Sequence, residues 1–130
     1  MRALDTNVLA RFVLNDDPAQ TARAENAMAG PFFVSDTVLL ELAWLLSSRY
    51  AIGRPELAAI LGDLLAIANL TVERPDLVTW AVERFAAGAD FADMLHIAAA
   101  GPADSFVTFE AGLAHQAGPL APIAIEQPPA

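Results

Sequence analysis

Met1-Arg2-Ala3-Leu4-Asp5-Thr6-Asn7-Val8-Leu9 is the stretch whose reading decides the fold. Its apolar entry, Met1 to Leu4, stops at a charge. Asp5-Thr6-Asn7 then offers the short polar side chains that cap a helix start. Val8, Leu9, Phe12 and Val13 recur at helical spacing until Asn15-Asp16-Asp17-Pro18 breaks the pattern. A short buried strand running straight into a helix is a building unit of parallel α/β sheets.

Outward from that stretch, Pro18 to Ala29 reads as a second helix, closed by Gly30-Pro31. Phe32-Phe33-Val34 reads as a buried strand, and Ser35 stands where a cap belongs before a helix from Asp36 to Tyr50. Gly53 ends that helix, and Pro55 opens another through about Ala68. Leu70 to Glu73 is a strand candidate, Pro75 opens a helix that ends near Gly88, and Asp90 begins one that reaches about Ala100. After Gly101-Pro102, the apolar run Phe106 to Phe109 predicts a strand, Glu110 to Gln116 a short helix, and Ile123-Ala124-Ile125 a last strand. Short, non-alternating strands between helices predict an α/β domain with a central, mainly parallel sheet covered on both faces. A single domain over residues 1–126 is expected, with a Pro-rich tail at 127–130.

Composition narrows the chemistry. The 130 residues carry 16 acidic and 7 basic side chains, a formal charge of −9. A hydrophobic share of 55% against 18% charged excludes intrinsic disorder. The absence of cysteine excludes a disulfide scaffold, a thiolate zinc site and a cysteine nucleophile. No apolar run approaches the roughly 18 residues of a membrane span, and the charge at Asp5 breaks any signal-peptide core, so a cytoplasmic protein is expected. An acidic chain whose basic residues are all arginine has no general affinity for nucleic acid. A polyanionic substrate requires metal ions or clustered arginines to offset the charge.

Carboxyl ends of parallel strands border the functional crevice of such sheets, which directs attention to particular acids. Asp5 ends the first strand, and Glu110 follows the Phe106–Phe109 run. Glu41 interrupts the apolar series Val38-Leu39-Leu40-Glu41-Leu42-Ala43-Trp44, where a lone carboxylate is costly to bury unpaired. Asp90 and Asp93 fall in one helical turn, where free N–H groups favour negative charge. Each also has a plain structural reading. Asp5 and Asp90 serve as caps, Asp93 as a capping-box partner, Glu41 as an exposed helix residue, and Glu110 as a helix-start acid.

Taken together, Asp5, Glu41, Asp93 and Glu110 offer the oxygen donors that hard Mg²⁺ or Mn²⁺ ions prefer. A pair of such ions about 3.5–4 Å apart activates water and stabilises the leaving oxygen in phosphodiester cleavage. Other chemistry is poorly supplied. His96 and His115 lack further zinc ligands, and no nucleophile elbow, P-loop or dinucleotide-binding glycine pattern occurs. Trp44 and Trp80 read as core. Arg11 lies one turn beyond Asn7, either as a plain surface charge or within reach of a phosphate near Asp5; Arg49 and Arg54 are equally open.

Leu4-Asp5-Thr6-Asn7-Val8-Leu9 resembles the opening of PIN-domain proteins, especially the VapC-type toxins of bacterial toxin–antitoxin pairs. Ser35 to Leu46, Ala89-Asp90-Phe91-Ala92-Asp93 and Val107-Thr108-Phe109-Glu110 resemble the family's later acidic segments, in the right order. The resemblance implies a three-layer α/β/α fold and a Mg²⁺- or Mn²⁺-dependent endoribonuclease that works as a homodimer. It implies Asp5, Glu41, Asp93 and Glu110 as catalytic metal ligands, and it selects Asp93 over the capping Asp90. Thr6, Asn7 and Thr108 become orienting groups, and a small antitoxin blocks the acidic site. Glu110 stands where the family usually has aspartate. That departure keeps open a second reading, a catalytically weak module that only binds RNA or a protein partner. A third, phosphoryl transfer on Asp5, is disfavoured because Asn7 replaces the second aspartate and no lysine exists.

Overall fold

The computed structural model describes residues 1–130 and places helices and short parallel strands close to where the sequence predicts them. Strand β1 (Arg2–Ala3) leads into helix α1 (Thr6–Leu14), followed by α2 (Pro18–Met28) and β2 (Phe32–Phe33). Helix α3 (Asp36–Ser48) and α4 (Arg54–Leu65) precede β3 (Leu70–Thr71). Helices α5 (Pro75–Ala86) and α6 (Phe91–Ala98), β4 (Ser105–Val107), α7 (Leu113–Ala117) and β5 (Ala124–Glu126) complete the chain.

Local chemistry sets these boundaries. Asn15 adopts the left-handed conformation (φ 48°), which asparagine tolerates better than most residues, and its N–H closes α1 on the Arg11 carbonyl. The Asp17 carboxylate accepts from the N–H groups of Ala19 and Gln20 to start α2. Ser35 Oγ accepts from the Val38 N–H and starts α3. Gly53 caps the start of α4; the preceding helix has already closed at Arg49.

All strand pairing is parallel, but the ladder falls into two pieces. Strands β1, β2 and β3 form one sheet with β2 central, and β4 pairs with β5 in a second. The expected single central sheet is thus divided, because β4 finds its ladder partner in β5 and none in β1. Backbone bonds beyond the paired residues extend the first sheet, from the Leu4 N–H to the Phe33 carbonyl and from the Val34 N–H to the Thr71 carbonyl. Asn69 adds a side-chain tie, donating to the carbonyls of both Met28 and Gly30 at 2.6 Å.

The core gathers on the central strand. Phe32, Leu42, Leu46, Val78, Ala81 and Met94 are wholly buried in one continuous apolar cluster. Helix α3 faces it with Leu39, Leu42, Ala43 and Leu46, the one-sided spacing of an amphipathic helix. Helix α6 packs against α5 and α3, and α1 against α2 and α3. Trp44 departs from the sequence reading: it lies on the outer side of α3 with 59% of its surface exposed. The Trp80 indole is half-buried and its Nε1 has no partner.

Candidate metal centre

Asp5 sits at the turn between β1 and α1, just beyond the buried Leu4. Its Oδ1 accepts the Thr6 N–H at 2.8 Å, so the residue does cap the helix, and the carboxylate remains exposed. Thr6 is 3% exposed, and its hydroxyl is buried without a hydrogen-bond partner. Such a group normally costs about 1–3 kcal/mol, so this hydroxyl has donor and acceptor capacity to spare beside the first acid. Asn7 makes no side-chain hydrogen bond to Asp5; it lines a neighbouring cavity between α1 and α2. Arg11, one turn on, donates to Asp16 at 3.1 Å and to the Tyr50 hydroxyl at 3.0 Å.

Glu41 lies on the exposed side of α3, away from the stripe formed by Leu39, Leu42 and Leu46, with no ion-pair partner. The acid of α3 that does form an ion pair is Asp36, which binds Arg74. Arg74 holds the left-handed conformation (φ 50°) before α5 and bonds Glu73 with its other arm.

Asp90 and Asp93 open α6 as the spacing predicts. Asp90 caps the helix by accepting the Asp93 N–H at 2.9 Å. Asp93 itself is half-buried among residues that anchor α6 in the core, Phe91, Met94 and Leu95. Burial pushes its carboxyl above the usual range, and the negative charges of Asp90 and Glu110 push the same way. His96, one turn along α6, opposes them. Asp93 and Glu110 are thus brought within electrostatic reach of each other across the sequence.

Glu110 lies three residues past the end of β4, in a turn rather than in a helix, because α7 starts later than the sequence suggests. The Glu110 N–H donates to Thr108 Oγ1 at 3.0 Å, so Thr108 holds the backbone of the turn and not the carboxylate. Gln116 holds the carboxylate, donating to Oε1 at 3.2 Å; the sequence reading did not single it out. The predicted strand is also shorter. Phe109 lies beyond it, 89% exposed beside Glu110.

The four predicted acids therefore divide. Asp93 and Glu110 interact, Asp5 and Glu41 present exposed carboxylates from α1 and α3, and no three His, Asp or Glu side chains are gathered closely enough to hold an ion as they stand. The donor chemistry nonetheless suits a hard cation. The groups are carboxylates and hydroxyls without sulfur, and repulsion at Asp93 is what a positive charge would relieve. Mg²⁺ usually keeps several waters and takes only one or two protein carboxylates, so a closed cage is not required.

The PIN-domain family pattern matches residues 2–118, and the chain belongs to that family. PIN domains are in general metal-dependent nucleases, and the helices and parallel strands described above are those of their three-layer α/β/α fold. No curated protein and no solved structure matches the chain. No helix is long and apolar enough to cross a membrane.

Proposed function

We propose that this protein is a Mg²⁺- or Mn²⁺-dependent endoribonuclease, the toxin of a VapBC-type toxin–antitoxin pair. It acts in the cytoplasm as a homodimer under the control of a small antitoxin. The observation that carries the reading is the PIN-domain match over residues 2–118; the half-buried Asp93, whose carboxyl is pushed up by burial and by the charges of Asp90 and Glu110, supports it. A carboxyl perturbed by burial together with neighbouring charge is a functional-site candidate.

In this reading Asp5, Glu41, Asp93 and Glu110 are the ligands of the ion. A bound Mg²⁺ or Mn²⁺ supplies the positive charge that stabilises phosphate oxygens and makes water acidic enough to attack phosphorus. The protein's part is to hold the carboxylates in position. Thr6 N–H fixes Asp5, the first turn of α6 fixes Asp93, and Thr108 and Gln116 fix Glu110. The spare Thr6 hydroxyl and the amide of Asn7 are the remaining polar groups at the first acid, and Arg11 is the nearest cation to it along α1.

Asp5→Asn and Asp93→Asn decide the matter. Each variant should retain the fold by circular dichroism and lose more than about 100-fold in Mn²⁺-dependent RNA cleavage, beyond the loss typical of a merely supporting residue. Undiminished cleavage in both overturns the assignment. A second reading, a PIN-derived module that binds RNA or protein without cleaving, draws on the exposed Glu110 turn and on the absence of any gathered triad of acids. Calorimetric titration separates the two: micromolar Mn²⁺ binding supports the enzyme, and no binding at millimolar concentration supports the module.

A further inference from the structure

An acidic nuclease must grip a polyanion, and the arginines are few. Arg54 is committed to the carbonyls of Phe85 and Ala89, Arg74 to Asp36 and Glu73, and Arg84 to the Gln116 carbonyl. Two of the others, Arg11 and Arg23, line one cavity of about 340 Å³ between α1 and α2. The amides of Asn7 and Gln20 complete its polar lining, Val8 and Ala24 add apolar surface, and no carboxylate lines it.

We propose that this cavity is a phosphate subsite, taking one backbone phosphate of a single-stranded RNA beside the position of cleavage. The inference rests on the nuclease reading above. Asn7 belongs to the first turn of the helix that Asp5 caps, so one wall of the cavity and the first candidate acid share a single turn of backbone. The lining matches the ligand. A guanidinium is a planar fork that fits two phosphate oxygens, amides donate further N–H groups, and apolar surface suits a ribose face. Volume permits this, since the cavity is roughly ten times a water's share of the liquid, about 30 Å³.

One guanidinium is free, and the other is held only by groups that a phosphate can displace or share. Arg23 takes part in no hydrogen bond or ion pair. Arg11 is steadied by the Tyr50 hydroxyl and paired with Asp16, whose side chain is 52% exposed. An exposed pair of this kind contributes little and yields readily to a phosphate. Asp16 therefore acts as an internal competitor for the subsite.

The test is binding of a short single-stranded RNA in EDTA, followed by fluorescence anisotropy over a range of salt, with Mn²⁺-dependent cleavage measured alongside. Arg23→Ala should bind about tenfold more weakly, and its slope of log affinity against log salt should fall by about one. Arg23→Lys should regain most of the slope but less of the affinity, because a point charge replaces a fork. Asp16→Asn should bind more tightly than the parent, a gain that damage to the fold could not produce. With Mn²⁺, the Arg23→Ala defect should appear more in KM than in kcat. Inorganic phosphate is titrated in the same buffer; if it binds as tightly as the RNA, the cavity serves the free ion and the proposal falls. It falls equally if Arg11→Ala and Arg23→Ala keep the parent's affinity and salt slope while the parent cleaves RNA, an outcome that spares the nuclease reading. Arginine-dependent binding by a parent that never cleaves has the opposite meaning, supporting the subsite and overturning the nuclease.

Discussion

The two parallel sheets give their acids very different footing. Strand β2 lies between two partners, with Phe32 wholly buried, and the elements around it deliver Asp5 on α1 and Glu41 on α3. Strands β4 and β5 pair only with each other, are half-buried at best, and leave Val107 and Phe109 facing solvent. Glu110 hangs from this lighter sheet in a turn held by two side-chain hydrogen bonds. Glu110 therefore stands where the scaffold is least constraining.

The contrast can be broken most forcefully in the core. Phe32→Ala should lower unfolding stability by about 3–5 kcal/mol, and Phe106→Ala on the lighter sheet by less than about 2 kcal/mol, both measured by urea denaturation. Equal losses would mean the two sheets are equally integrated. Next in size is the ion itself. Mn²⁺ at a hundredfold excess over its dissociation constant should add about 2.7 kcal/mol, visible as a rise in Tm. Asp93→Asn should remove more of that rise than Glu110→Gln, if the looser ligand is also the weaker one. Ser35→Ala, which uncaps the helix carrying Glu41, should cost about 1 kcal/mol in the same denaturation experiment.

The smallest expected effect has a sign that sharpens the comparison. Asp93 titrates above its unfolded value, so the native state holds its proton more tightly than the unfolded chain does. Stability from this group is present at low pH and is lost as pH rises through the elevated native value. Asp93→Asn should therefore raise the Tm of the metal-free protein at neutral pH. The gain should vanish below about pH 3.9, where aspartate is protonated in the unfolded chain as well. A neutral-pH Tm that is unchanged or lower would mean that burial and the charges of Asp90 and Glu110 do not disfavour its ionised form.

Much of this was legible in the sequence where local chemistry decides structure. Asp5, Ser35 and Asp90 read as caps and are caps, and Pro18 and Pro75 open helices as predicted. What escaped were outcomes of long-range packing. Whether β4 would pair with β1 or β5 depends on strand placement that periodicity does not encode. The apolar look of Phe106 to Phe109 predicts burial, yet β4 ends at Val107 and Phe109 projects outward. Trp44 misled in the same way, since aromatic character alone does not say which side of a helix meets the core. Among the acids, the Asp90–Asp93 spacing was informative because both lie in one turn. The approach of Glu110 to Asp93 joins separate elements; the family resemblance implied it, and local spacing alone could not.

Arg54 opens α4, yet its guanidinium donates to the carbonyls of Phe85 and Ala89 at 2.6 Å and stacks 4.6 Å above the Phe85 ring. It thus fastens the end of α5 to the residue just before Asp90. The aim of the Asp90–Asp93 turn is consequently set from a helix that contributes no candidate ligand. Anything that tilts α4, whether a partner leaning on it or a lysine in place of this arginine, would re-aim those carboxylates from a distance.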